Sequence, residues 1–166
     1  CTPSCYQLDL GKKQVRYAGY HELAYLHPDR FTPDPEVLKS VGVTPEEPFV
    51  IMRFVAREAV HDLGHTGLAT ETKVRAVKEF SRHARVLISS ERPLPVEFEP
   101  YRITISPDRI HHVMAYATLL YGESGTMSTE CAVLGTPVIF VHNAVLGNMI
   151  ELDQTYGCMF TFKESL

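Results

Sequence analysis

"LLYGESGTMSTECAVLGTPVIFV", residues Leu119 to Val141, decides the fold. Leu119 to Gly122 is short and apolar, as a strand buried on both faces must be. Thr126 to Leu134 suits a helix. Gly135 stands where a helix closes in the left-handed conformation, which glycine adopts without strain. Pro137 to Val141 is apolar again. Strand, helix, strand is the unit of a parallel sheet, because parallel neighbours need a crossover and a helix supplies it.

The alternation extends in both directions. Phe49 to Val55, "FVIMRFV", is apolar except for Arg53 and is predicted as a strand. Thr70 to His83 carries Val74, Val77 and Phe80 at helical spacing, which predicts an amphipathic helix with Thr70 as its N-cap. Arg85 to Ser90 and Tyr101 to Ile105 are predicted as further strands. Pro107 sits where helices start, ahead of "DRIHHVMAYATLL". After the quoted unit, "NMIELDQTYG" is predicted helical and "CMFTF" is the sixth strand. The pattern predicts an α/β fold, Rossmann-like, with three α/β/α layers and a mainly parallel sheet. Residues 1–45 are predicted as an irregular segment, with a short ordered stretch at "YAGYHELAYLHP". A surface loop follows, rich in Pro, Asp and Glu, with one short helix over Pro35 to Val41. The Rossmann-like domain is then 46–166.

A length of 166 residues suits one sizeable core. The apolar share of 45% and charged share of 22% are those of an ordinary globule. Sixteen basic residues are scattered among twenty acidic ones for a formal charge of -4. That leaves no footprint for a nucleic-acid backbone. No apolar stretch approaches the roughly 20 residues of a membrane span, and the N-terminus lacks a signal-peptide core, so a cytoplasmic location is expected. Cys1, Cys5, Cys131 and Cys158 are too irregularly spaced for a disulfide framework or a zinc ribbon, and Cys131 and Cys158 are expected as buried small hydrophobes. The chain opens without Met and stops soon after its last predicted strand, which reads as a piece of a longer protein.

In open parallel sheets ligands gather beyond the carboxyl ends of the strands. Gly122 to Thr126 lies there, at the start of a helix whose first amides have no internal partner and carry the positive end of the dipole. Ser124, Gly125 and Thr126 are therefore candidates to hold a phosphate. Neither Ser124 nor Thr126 is followed three residues later by Glu or Gln, so no capping box absorbs these donors. Glu130, one turn deeper on the Thr126 face, would repel a phosphate but can accept two hydrogen bonds from the vicinal hydroxyls of a ribose. The same stretch also reads as a plain strand-to-helix turn with a cap.

"RFVAREAVHDLGH", Arg53 to His65, leaves the first strand at the same edge. His61, Asp62 and His65 include the His-x-x-x-His spacing of a metal site. Gly64 argues against a helix there and no third strong ligand follows, so no metal is assigned. Arginines and histidines in such a crevice suit anionic or sugar groups, or acid–base work near neutral pH. His61 and Arg57 are the candidate catalytic residues. Arg53, His65 and His111 are candidate sugar or phosphate contacts. His112 and Glu91 are weaker ones.

Several stretches together, "YAGYHELAYLHP", "RFVAREAVHDLGHTGL", "VLISSE", "RIHHVMAYATLLYGESGTMSTECAVLGTPVIFV" and "LGNMIELDQTYG", resemble a family of uncharacterised archaeal and bacterial proteins grouped with the GT-B glycosyltransferases and UDP-N-acetylglucosamine 2-epimerases. The resemblance covers nearly the whole chain from Leu8. It implies the C-terminal half of a GT-B fold, with a nucleotide-sugar bound in a cleft against an N-terminal partner domain that this chain lacks. The epimerases' Ser-Gly-Gly-x-x-x-Glu motif is matched by Ser124, Gly125, Thr126 and Glu130, with Thr126 replacing the second Gly. By that match, Ser124 to Thr126 would bind phosphate and Glu130 ribose. "HDLGH" matches only the location of the epimerases' His-rich loop. The implied ligand is a UDP-sugar as substrate, with no cofactor besides. A glycosyltransferase, an epimerase, a non-catalytic nucleotide- or sugar-binding module and a metal-dependent hydrolase centred on His61, Asp62 and His65 are all compatible with these residues. Nothing in the sequence indicates an oligomeric state.

Overall fold

The computed structural model describes residues 1–55, 68–90, 93–142 and 147–163. A short parallel pair, β1 (Thr2–Pro3) and β2 (Arg16–Tyr17), is followed by a helical turn, α1 (Leu23–Leu26). The main sheet then runs β3 (Phe49–Phe54), β4 (Arg85–Ser90), β5 (Leu119–Gly122), β6 (Val138–Val141) and β7 (Met159–Phe162), with helices α2 (Thr70–Phe80), α3 (Ile110–Met114), α4 (Gly125–Leu134) and α5 (Gly147–Gln154). Its five strands are all parallel and lie in the order β4-β3-β5-β6-β7, which makes the domain a Rossmann-like α/β fold.

Continuous apolar runs form these strands because both faces are covered. Phe49 and Ile51 of β3, Leu87, Leu120, Val138, Phe140 and Met159 pack with α3, α4 and α5 through Val113, Met114, Cys131, Ala132, Met149 and Leu152. The alternate residues Val50, Met52, Phe54, Val86, Ile88, Tyr121 and Val141 pack on the other face with Val77 of α2. From β3 the chain first steps outward to β4 with its helix on one face, then returns past β3 to β5 with its helices on the other. The carboxyl ends of β3 and β5 therefore meet where the winding reverses, and Arg53 pairs with Gly122 there.

The sheet has five strands where the sequence predicts six. Tyr101–Ile105 is no strand. It follows a 3-10 turn at Glu99–Tyr101 that contains Pro100, and it meets β4 at the single bridge Ile88 to Arg102. Besides that bridge, the Ile103 amide donates to the Ile88 carbonyl at 3.0 Å, and no ladder forms between them. Helix α2 begins with Ala69, not Thr70, at the N-cap, with no side-chain cap, and ends at Phe80. Helix α3 begins only at Ile110. The Pro35–Val41 segment is helical as expected, a 3-10 turn capped by Asp34 and closed by Gly42 at φ 73°. It is not a surface loop, however: Val37, Leu38 and Val41 are buried with Val43 in the core under α3. Their apolar side chains outweigh the charged residues between them, which point outward.

Among the described residues no helix is long and apolar enough to cross a membrane. The four cysteines are free thiols, with Cys131 buried and Cys158 half-buried.

Candidate functional site

Strand β5 delivers Gly122, Glu123 and Ser124 to the carboxyl edge of the sheet, and α4 starts immediately afterwards. Ser124 is the N-cap of α4, its hydroxyl oxygen accepting from the Met127 amide at 3.4 Å. The missing capping box therefore does not leave Ser124 idle; it caps by itself. Gly125 is packed from α5: a Cβ there would stand 2.6 Å from the Met149 methyl group. Thr126 is exposed at the head of the helix. On the same turn Thr129 donates to the Gly125 carbonyl at 3.1 Å, and Asn148 of α5 donates to the Thr129 hydroxyl at 3.0 Å. Among the described residues the buried Ser128 hydroxyl has no hydrogen-bond partner.

Glu130 lies one turn below, only 7% exposed. Its Oε1 accepts from the Tyr25 hydroxyl at 2.9 Å, and the His111 Nε2 lies 3.0 Å from the same oxygen. Helix α3 brings His111 to the carboxyl edge, where its ring tilts against that of Tyr25 at 5.6 Å. His112 faces the N-terminal segment instead, its Nδ1 accepting from the Asp34 amide at 3.0 Å while the ring packs on Phe31. Of the two adjacent histidines, one reaches the candidate carboxylate and the other fastens the chain that carries Tyr25.

Arg53, at the carboxyl end of β3, donates from Nη1 to the Ser89 hydroxyl of β4 at 3.0 Å. The structure thus sets Ser124, Gly125 and Thr126 at the head of α4, joins Glu130 one turn down to His111, and directs this contact of Arg53 toward β4. Arg57, His61, Asp62, His65 and Glu91 lie outside the described residues.

Two residues that the sequence reading passed over belong to this corner. Tyr25 is 105 positions from Glu130, and no local pattern links them. Glu123 is 3% exposed and binds the Leu68 amide, a role hidden within what reads as a turn. Its one sequence signal was a carboxylate directly after a buried strand.

The N-terminal segment is tied down by two phenol–carboxylate pairs, Tyr25 on Glu130 and Tyr20 on Glu151 Oε2 at 2.5 Å. Burial, then the hydrogen bond to the carboxylate, raises both phenol pKa values well above the ordinary one. Both phenols hold their proton more tightly folded than unfolded. They therefore stabilise the fold below the ordinary tyrosine value of about 10, and that stabilisation is lost as the pH rises above it. The urea midpoint is expected to fall between about pH 8.5 and pH 10.5, and to fall less in Tyr20→Phe. An equal fall in both proteins would contradict this account.

No protein-family model matches the chain, and no curated protein matches it. Among solved structures it is similar to a Listeria monocytogenes protein assigned as a UDP-N-acetylglucosamine 2-epimerase, with a TM-score of 0.48 and 15% identity over 78% of this chain and 36% of that one. It is also similar to a β-Kdo 2,7 transferase from Thermosulfurimonas dismutans, with a TM-score of 0.49 and 12% identity over 87% of this chain and 52% of that one. The chain spans about a third of the first and about half of the second. The family suggested by the sequence motifs thus stands as a resemblance, while the Rossmann-like fold rests on the chain's own strand order.

Proposed function

We propose that this chain is the nucleotide-binding half of a GT-B-like enzyme acting on a UDP-sugar, as a glycosyltransferase or a 2-epimerase. The observation that carries the reading is the place of α4: its N-terminus opens at the carboxyl end of β5, beside β3, where the winding of the sheet reverses. That is where open α/β sheets collect ligands, because the helices diverge to either side and leave a crevice. The first amides of α4 suit a diphosphate, and the Glu130 carboxylate one turn deeper suits the ribose hydroxyls.

In the transferase form, the head of α4 would stabilise the diphosphate as it departs, with Arg57 or His61 adding positive charge. In the epimerase form the same groups would hold UDP while an N-terminal partner domain supplies the proton chemistry.

Calorimetry with UDP, UDP-GlcNAc, GDP and CMP tests the reading on this chain. Heat is expected with UDP and UDP-GlcNAc. Glu130→Gln, which keeps shape and removes charge, is expected to weaken UDP by about tenfold, as for a hydrogen bond to a charged group. A wild-type protein that binds none of the four nucleotides, or a Glu130→Gln protein that binds UDP as well as wild type, would overturn it.

A further inference from the structure

The Tyr25–Glu130 pair raises a question that the nucleotide reading leaves open, since the carboxylate intended for a ligand already holds a phenol. A buried carboxylate needs donors, and among the described residues Oε1 of Glu130 has two neighbours, Tyr25 Oη and His111 Nε2. They differ in how they are held. His111 sits on α3, whose Val113 and Met114 are fully buried. Tyr25 sits on α1, a single helical turn anchored by Leu26, and the Tyr25 side remains 44% exposed. The Tyr20–Glu151 pair in the same segment provides an internal contrast, because the Tyr20 ring is packed against the main core cluster. Swinging Tyr20 out would open that core. Swinging Tyr25 out breaks one hydrogen bond and the ring contact with His111, and the residue is already 44% exposed.

We infer that the Tyr25 hydroxyl keeps the place of a ligand hydroxyl on Glu130 and gives it up to the 2′- or 3′-hydroxyl of an incoming ribonucleotide. The inference rests on the nucleotide reading above. In the exchange Oε1 loses the phenol O–H and gains a sugar O–H, and the phenol passes to water. His111 stays and fixes the orientation of the carboxylate throughout. The Tyr25 hydroxyl also keeps the buried Glu130 carboxylate satisfied while no ligand is present, which a Phe at position 25 would not do.

The test compares UDP, 2′-deoxy-UDP and 3′-deoxy-UDP binding to wild type, Tyr25→Phe and Tyr20→Phe by calorimetry, with melting temperatures as a check on folding. UDP is expected to bind Tyr25→Phe about fivefold tighter than wild type, the free-energy equivalent of one ordinary hydrogen bond. The gain is expected to shrink with 2′-deoxy-UDP or, where the 3′-hydroxyl takes the place, with 3′-deoxy-UDP, and Tyr20→Phe is expected to bind UDP as wild type does. A gain kept in full with both deoxy analogues would overturn the exchange. UDP binding that is unchanged or weaker in Tyr25→Phe would make Tyr25 a structural tether or a ligand contact and overturn the exchange, while leaving the nucleotide reading intact. An equal gain in Tyr20→Phe would overturn it too, by tracing the effect to a loosened segment. No UDP binding by any of the three proteins would instead remove the nucleotide reading itself, and the exchange with it.

Discussion

Glu123→Ala is expected to destabilise the protein by about 3 kcal/mol, at the lower end of the range for breaking a buried charge pair. Glu123 is 3% exposed and gathers the ends of three elements. Its own amide donates to the Arg53 carbonyl of β3 at 3.3 Å, and its Oε1 accepts from the Leu68 amide at 2.5 Å, just before α2. Its Oε2 lies 3.7 Å from Lys73 Nζ on α2, which also stands 5.0 Å over the Phe54 ring. Removing the carboxylate takes the acceptor from the Leu68 amide and the counter-charge from Lys73. The lysine side chain is 20% exposed, so water relieves part of the penalty and keeps the loss near the lower bound. For a chain of this size the melting temperature should drop by about 6–12 °C. A second substitution, Lys73→Met, should recover part of the loss, because it removes the stranded charge. A melting temperature unchanged by Glu123→Ala would show that this carboxylate does not hold the corner together.

Gly122→Ala should cost at least as much, about 3 kcal/mol or more, for a steric reason. A Cβ on Gly122 would stand 2.5 Å from the Arg53 carbonyl oxygen and 3.1 Å from its amide nitrogen. Both belong to the backbone of β3, an interior strand that is paired with β4 on one side and β5 on the other and cannot retreat. The only relief is to open the pairing of β3 with β5 at the point where the winding reverses. Gly125 provides the comparison: a Cβ there meets the tip of the Met149 side chain, which can rotate away. Chemical denaturation of both variants should show a large fall in midpoint for Gly122→Ala and a much smaller one for Gly125→Ala. Equal falls would refute the distinction between backbone and side-chain crowding.

The helices and strands of the quoted stretch were legible because their signals are local. Leu119–Gly122, α4 and its closing Gly135 follow from runs of apolar residues and a glycine at φ 88°. The false strand at Tyr101–Ile105 shows the limit of that logic. Its composition suits a strand, but composition does not supply a ladder partner, and the segment leaves a 3-10 turn and meets β4 at one bridge. The burial of Leu38 was missed for the opposite reason: the charged and proline residues around it dominate the local pattern.

The candidate site divides the same way. Ser124, Gly125, Thr126 and Glu130 share one turn and its successor, so their grouping at the head of α4 follows from helical spacing. The partners of Glu130 could not be read, since Tyr25 and His111 come from elements distant in sequence. Nor could the task of Glu123, which depends on where α2 begins.

By itself the sequence determined the parallel α/β architecture, because apolar runs of strand length separated by helix-length segments can bury their surfaces in few other ways. The tertiary structure alone decided the order of the strands, the meeting of the β3 and β5 carboxyl ends that this order creates, and the phenol and imidazole on the Glu130 carboxylate. Periodicity reports which face of an element is buried; it carries no information about which distant element will bury it.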